Sequence, residues 1–304
     1  MNSEKTRGFI TIATGNEAYY KLARNLMKSY RFHSESPLPF AILCDHTNEY
    51  TESFDKVIII EDPTYSFLDK LKMYQYLPYD ETIFIDADTM AYSDLNIWWD
   101  TFEKGSSFSA FGVERELGSG NGWFDPEKTG IYRDTIEYIP DFCGGVYYIE
   151  KDEISSRIFS LATEFALHYR EYGFKRAKHP VDEACFSLAM AICKCKCHRN
   201  MVTEKYAHTC NLPATRHVTA DISKPVVYYH NGEQNYQAEA LHFGNVRTHY
   251  SLYRFQKEYL DRLIDKNTGF MTKLFYEWKL RFYILRVLDV MYLPSRIKRR
   301  LKLV

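Results

Sequence analysis

Nowhere do the 304 residues approach the roughly 20 consecutive apolar residues that a membrane span requires, so a bilayer-crossing chain is not expected. The first residues, Met1 to Arg7, are polar and lack the apolar stretch of a secretory signal. A protein that begins and stays in the cytoplasm is the expectation. An excess of either charge is missing too: 39 Lys and Arg face 40 Asp and Glu. That balance, with no nucleic-acid module in view, argues against nucleic acid as a partner. Internal repeats and low-complexity segments are absent. Cysteines are few (seven), odd in number and unevenly spread, which in a reducing compartment reads as free thiols. Cys193, Cys195 and Cys197 lack the Cys-x₂₋₄-Cys spacing of a zinc site. Their alternation with Lys194 and Lys196 reads as a strand with thiols inward and lysines outward.

What remains is an ordinary globular composition, 45% apolar and 26% charged. The length suits one large domain with an appendage, or two modest domains, and it can bury a core without staples. Short β-branched or apolar runs mark strands at Gly8 to Ala13, Pro39 to Cys44, Lys56 to Ile60 and Thr82 to Ile85. Helical spacing follows the first run over Glu17 to Tyr30, and Phe67 to Leu77 is helical until Pro78 stops it. Strands alternating with helices predict an α/β fold with a parallel-rich sheet. Further strands are expected at Phe108 to Val113, Val146 to Ile149, Val226 to His230 and Ala240 to Phe243. Helices are expected over Ile154 to Tyr172, over Val181 to Ile192, and from Tyr250 onward. Glu114 to Pro140 shows no periodicity and reads as a long loop, a class that is usually functional or disordered.

The fourth run ends directly in Asp86-Ala87-Asp88. Ligands of open α/β sheets bind at the carboxyl ends of strands. Two carboxylates one residue apart on an extended segment face the same side and repel unless a cation lies between them. A hard divalent ion, Mn²⁺ or Mg²⁺, fits such oxygen ligands and bridges to substrate phosphates. The plainer reading is a pair of solvated turn residues.

The stretch from Leu68 to Leu95, with Lys70-Leu71, Leu77-Pro78-Tyr79-Asp80 and Asp86-Ala87-Asp88-Thr89, resembles the family 8 glycosyltransferases. Weaker echoes extend to about His242. The resemblance implies a GT-A fold, a Rossmann-like mixed sheet flanked by helices. It also implies a retaining transfer of a hexose from a UDP-sugar donor with Mn²⁺. In that frame Ala13, Thr14 and Asn16 form the nucleotide loop. Tyr19 stacks on the base, with Tyr20 as its competitor, and Asp45 contacts uracil or is a plain turn aspartate. Lys70 reaches the donor, or is simply a solvated helix lysine. Asp141-Phe142-Cys143-Gly144-Gly145-Val146 matches a Phe-Asn-Ser-Gly-Val segment, with Cys143 where the family has Asn and with Gly144 and Gly145 beside the sugar. Asp182-Glu183-Ala184 matches Asp-Gln-Asp, so Asp182 and Glu183 are the catalytic candidates; Asp182 is alternatively a helix N-cap. Glu183 in place of Gln introduces a carboxylate able to serve as nucleophile or base. His242 and Gly244 match a late His-x-x-Gly segment. His242 then joins Asp86 and Asp88 as metal ligand, His230 is the fallback, and Arg247 stands in for the family's Lys on the diphosphate. Asp86 and Ala87 also contact the donor in this reading.

A nucleotidyltransferase of sugar nucleotides shares the sheet and the acidic site, but its Gly-rich basic first loop is missing. A sugar-binding relic is opposed by the intact Asp86 and Asp88. The chain divides as residues 1–250, the transferase domain, and 251–304, a helical basic segment. From Lys273 to Val304 nine Lys or Arg stand against two acids, interleaved with aromatics such as Phe275, Trp278 and Tyr283. A basic amphipathic segment of this kind is expected to lie on an anionic membrane, with Pro294 interrupting it; the plainer reading is a helix packed on the catalytic domain or a dimer partner with its charges solvated. The enzyme would then sit peripherally on the inner face of the membrane. The acceptor is a glycan or a lipid-linked glycan.

Overall fold

The structure is a computed structural model that describes residues 5–120, 122–203, 205–211, 217–230, 235–244, 248, 251–267 and 269–287. Strands β1 (Arg7–Ala13), β2 (Phe40–Cys44), β3 (Lys56–Ile59), β4 (Glu81–Ile85), β5 (Thr89–Ala91), β6 (Phe108–Arg115) and β7 (Ile139–Glu150) lie in the first half. The second half adds β8 (Met201–Thr203), β9 (Tyr206–Asn211), β10 (His217–Thr219), β11 (Val227–His230) and β12 (Asn235–His242). The helices are α1 (Glu17–His33), α2 (Asp69–Lys72), α3 (Ile97–Phe102), α4 (Glu153–Leu167), α5 (Asp182–Cys193), α6 (Ser251–Ile264) and the single turn α7 (Phe270–Thr272). Residues 280–287 are also helical.

The main sheet has the order β3-β2-β1-β4-β7-β6. Its first four strands are parallel, and β7 and β6 are antiparallel to their neighbours. The central strands carry apolar side chains on both faces because both faces are covered. On β1, Phe9 and Ala13 point into one core while Ile10 points into the other. On β4, Ile83 and Ile85 enter the first core and Phe84 the second. The first core is closed by α1, α3, β12 and α6; the second by α4 and α5. Edge strand β3 leaves Val57 and Ile59 exposed.

From β1 the chain builds outward to β2 and β3 on one side and reaches β4 on the other. Sequence order therefore reverses between β1 and β4, and the loops that leave their carboxyl ends separate there. Such a switch point forms a ligand crevice in α/β sheets. A second sheet, β10-β11-β12-β9-β8, closes over this end, and short β5 joins it by pairing antiparallel with β12. This pairing sets His242 opposite Thr89, three residues past Asp86.

Three expectations change. β7 runs from Ile139, well before the expected start at Val146, so the glycine-rich segment is strand. Cys193–Cys197 is not a strand: α5 continues through Cys193 and stops where Lys194 adopts a left-handed φ of 57°. Asp182 is the first residue of α5 rather than its cap, which is Val181. The sequence division at 250 falls inside one core, because Tyr253, Phe255, Tyr259 and Leu260 of α6 and Leu285 join the cluster that holds Phe9. Pro294 and the basic end Arg296 to Lys302 lie outside the described residues.

A polar knot under the second sheet lies within this packing. Buried Glu239 on β12 accepts from Trp98 Nε1 at 2.6 Å and from His208 Nδ1 at 2.9 Å. Glu239→Leu strands both donors, at about 1–3 kcal/mol each. A urea unfolding midpoint that falls by the equivalent of at least about 2 kcal/mol is expected; an unchanged midpoint would remove this role for the knot.

Candidate functional site

Strand alternation puts the residue after Ile85 on the face of Phe84, toward α2 and α5. There Asp86 meets Lys70 of α2, Nζ to Oδ1, at 2.8 Å. The same ammonium lies 3.0 Å from Asp182 Oδ2 of α5 and donates to the Gly144 carbonyl of β7 at 3.0 Å. It also sits over the Phe84 ring, 5.1 Å from its centre. Lys70 is only 7% exposed, so this is a buried cation with three oxygen partners and not a solvated helix lysine. Burial pulls its pKa down, but Asp182, Asp86 and Glu183 more than offset that and hold it above the ordinary lysine value.

Asp86 and Asp88 do not share an extended segment. They flank a turn closed by Thr89 N donating to the Asp86 carbonyl at 3.0 Å. The turn is pinned on both sides, since Asp86 N donates to Gly145 O at 2.9 Å and Phe243 N donates to Asp88 O at 3.1 Å. His242, at the end of β12, brings Nε2 to 3.0 Å from Asp88 and 3.6 Å from Asp86. One ligand atom from each of Asp86, Asp88 and His242 lies within 4.8 Å of the other two. Two carboxylates and an imidazole suit a divalent ion of the Mn²⁺ or Mg²⁺ class, and the nitrogen donor favours the former. His230, the fallback, is not a member of that group. Burial, relieved by Lys70 and His242, raises the Asp86 pKa.

Gly144 and Gly145 form the floor. A Cβ on Gly144 would fall 2.5 Å from the Tyr147 hydroxyl and 2.6 Å from Asp182 Oδ2; one on Gly145 would fall 3.1 Å from His242 Nδ1. The approach at Gly144 leaves no room for a side chain, and the one at Gly145 is tight. Asp182 is 1% exposed and accepts from Tyr147 OH at 2.9 Å as well as from Lys70, while Glu183 beside it is only half-buried. Burial pushes the Glu183 carboxyl up to about 7, Asp182 adding to the shift and Lys70 opposing it.

The nucleotide-loop candidates lie across the crevice. Ala13 ends β1; Thr14 Oγ1 donates to Asp69 Oδ2 at 2.9 Å; Asn16 caps α1 by accepting from Ala18 N at 2.8 Å. Asp45 accepts from Gly15 N at 3.0 Å and from the Tyr20 hydroxyl. Against its partial burial, these bonds hold the Asp45 carboxyl below its usual pKa. Tyr20 is wholly buried and Tyr19 is 37% exposed, so Tyr19 presents the ring surface. Ala87 is buried in the Asp86 turn, and Gly244 follows β12 with a left-handed φ of 63°. Arg247 lies outside the described residues.

Sequence reasoning missed Asp69. Its buried carboxylate accepts from Thr64 N (2.6 Å), Thr64 Oγ1 (2.8 Å) and Tyr65 N (3.1 Å) as well as from Thr14. It thereby ties the first loop to residues 64–65. Tyr65, 63% exposed, lies over Gly15, where a Cβ would meet its ring at 2.9 Å. An Asp beside Lys70 was visible in the sequence, but nothing there marked it as buried.

The galactosyltransferase LgtC, solved in complex with donor and acceptor sugar analogs, superposes with a TM-score of 0.52 at 14% identity, covering 86% of this chain and 96% of that one. The fold is GT-A-like. Two further glycosyltransferases are also similar. GlyE of Streptococcus pneumoniae TIGR4 has a TM-score of 0.43 at 14% identity over 64% of this chain, and the bifunctional WbbM has 0.43 at 12% over 68%. The chain spans 45% of GlyE and 40% of WbbM. No protein-family model and no curated protein matches the sequence.

The raised Glu183 pKa has a measurable consequence in metal-free protein. The folded state holds this proton up to about pH 7 and the unfolded state releases it near 4.5, so the folded state loses stability as pH rises between those values. Glu183→Gln removes that loss. In EDTA it is expected to match wild-type stability near pH 4 and to exceed it by on the order of 3 kcal/mol at pH 8. Parallel stability curves for the two proteins over that range would show that Glu183 is not perturbed.

Proposed function

We propose that this protein is a retaining glycosyltransferase that moves a hexose from a UDP-sugar to a glycan or lipid-linked glycan. The observation that carries this reading is the Asp86–Asp88–His242 group at the switch-point end of the sheet, braced by buried Lys70. The GT-A-like fold supports it, and LgtC, the fold neighbour with the higher TM-score, is a galactosyltransferase.

A divalent cation, Mn²⁺ or Mg²⁺, held by those three side chains would neutralise the leaving diphosphate and template its position. Asp45, Thr14, Asn16 and Tyr19 line the base and ribose side, and Gly144, Gly145 and Gly244 let backbone approach the sugar and diphosphate. In the transfer, the bond from the anomeric carbon to the diphosphate oxygen breaks. A bond from that carbon to an acceptor hydroxyl oxygen forms on the same face, and the hydroxyl proton passes to the departing diphosphate. Asp182 acts through Lys70, whose ammonium it fixes, and Glu183 faces the anomeric carbon, stabilising positive charge when ionised. A nucleotidyltransferase needs a Gly-rich basic loop after its first strand, and Ala13-Thr14-Gly15-Asn16 lacks one.

Asp86→Asn and Asp88→Asn are expected to reduce Mn²⁺-dependent hydrolysis or transfer of a UDP-sugar by at least about 100-fold with folding retained, in the range of removing one charge-stabilising group. UDP is expected to raise the melting temperature with Mn²⁺ and not with EDTA, since only a bound native state is stabilised. Near wild-type turnover in either variant, or equal stabilisation in EDTA, overturns the metal reading. A panel of UDP-sugars then identifies the donor.

The C-terminal segment is proposed to lie on anionic membrane, placing the enzyme peripherally on the inner face beside a lipid-linked acceptor. Among the described residues no helix is long and apolar enough to cross a membrane. Phe270, Met271, Trp278, Tyr283 and Val287 are exposed and interleave with Lys273, Lys279 and Arg286. Residues 276–285 also pack inward: Arg281 bridges Glu258 at 2.8 and 3.0 Å, and Tyr276 stacks on Tyr259. A truncation at Gly269 would therefore damage the core, and the test ends the chain after Val287 and adds Trp278→Glu with Tyr283→Glu. The full chain is expected to sediment with vesicles containing anionic lipid at low salt and to be released at high salt, while the altered chain stays in the supernatant. Equal sedimentation of the two would dismiss the anchor.

A further inference from the structure

His242 has two ring nitrogens, and a metal site can use Nε2 only if the proton resides on Nδ1. The fold answers that requirement through strand pairing. β12 lies between β5 and β9, and the parallel register of β12 with β9 sets Asn211 directly beside His242. Asn211 Oδ1 is 2.9 Å from His242 Nδ1. An amide can turn either end toward a neighbour. Its NH₂ end facing Nδ1 would force the ring proton onto Nε2, where it would point at Asp88 and leave no lone pair for a cation. Its carbonyl end accepts a proton from Nδ1 and leaves the Nε2 lone pair directed at Asp86 and Asp88. Cys143 Sγ, 3.9 Å from the same nitrogen, is a far weaker acceptor. The β7 backbone runs close beside the ring, since a Cβ on Gly145 would fall 3.1 Å from Nδ1.

We infer that Asn211 is the positioning residue of the site: its side-chain carbonyl selects the tautomer and orientation in which His242 presents Nε2. This rests on the metal reading of Asp86, Asp88 and His242. Outer partners of ligating histidines typically contribute 10- to 100-fold in metal affinity.

The test is the Mn²⁺ dissociation constant of the full chain, measured by the electron paramagnetic resonance of free Mn²⁺, without substrate. Asn211→Leu removes the acceptor at similar size, and Asn211→Asp keeps one. Asn211→Leu is expected to bind Mn²⁺ about 10- to 100-fold more weakly, and Asn211→Asp within a few-fold of wild type or tighter. Turnover of the Leu variant should recover toward wild type in excess Mn²⁺. Circular dichroism melting checks that the variants fold; if the Leu variant does not, Asn211→Ser, which keeps a hydroxyl acceptor out of reach, takes its place with the same expected loss. Equal affinity of wild type and Leu variant, or an Asp variant as weak as the Leu variant, overturns the positioning role while leaving the metal site standing. Wild-type protein that binds no Mn²⁺ removes the metal site itself, and the role of Asn211 with it.

Discussion

A single buried ammonium allows the carboxylates of this crevice to stay close together. Lys70 contacts Asp86 at the end of β4, Asp182 at the start of α5 and the Gly144 carbonyl on β7. Each comes from a different element, so the lysine joins the parallel half of the sheet, the antiparallel half and the helix behind them. Removing one partner of a buried ion pair is far more damaging than the net value of the pair, because an uncompensated charge stays in a low-dielectric interior. The arrangement also explains why the floor is glycine. With a side chain at Gly144, the Gly144–Lys70–Asp182 approach would not close.

How much of this was legible depends on how local the cause is. The four parallel strands were readable because each is a short apolar run ending in polar loop residues, the three inner ones being buried on both faces. The paired carboxylates Asp86 and Asp88 were readable because they follow such a run. What the sequence hides is whatever two distant segments decide jointly. The turn that brings Asp86 and Asp88 together is held by Gly145 and Phe243, and periodicity alone suggested an extended segment instead. β5 is three residues long and exists as a strand because β12 pairs with it. Asn211 carries no signal of its own; it matters because β9 pairs with β12 in one register. The cysteine-lysine alternation of 193–197 has the period of a strand, yet the helix before it simply runs on until Lys194 ends it.

The second sheet therefore contributes more than cover. β12 carries Glu239 and His242 three residues apart. Glu239 anchors the strand through Trp98 and His208, while His242 faces the carboxylates. The core against which β12 packs also receives α6 and Leu285, so the C-terminal helices support the same strand that delivers the imidazole.

The two acidic candidates on α5 have been given different environments, and that difference sorts their roles. Asp182 is engaged by Lys70 and Tyr147 and has no exposed oxygen surface to offer a substrate. Glu183 is half-buried and accepts from the backbone N–H of Gly144 at 3.4 Å; burial, with Asp182 adding and Lys70 opposing, raises its pKa to about 7. Adjacent carboxylates in such different surroundings are suited to different work, one to holding Lys70 and the other to meeting a ligand. Glutamate in the place where the family resembled has glutamine adds a group whose charge responds to what binds. A cation entering beside Asp86 adds positive charge near Glu183 and favours its ionised form. On the proposed reading, the carboxylate that would stabilise a cationic anomeric carbon is then most fully charged when the site is loaded, and least costly to bury when it is not.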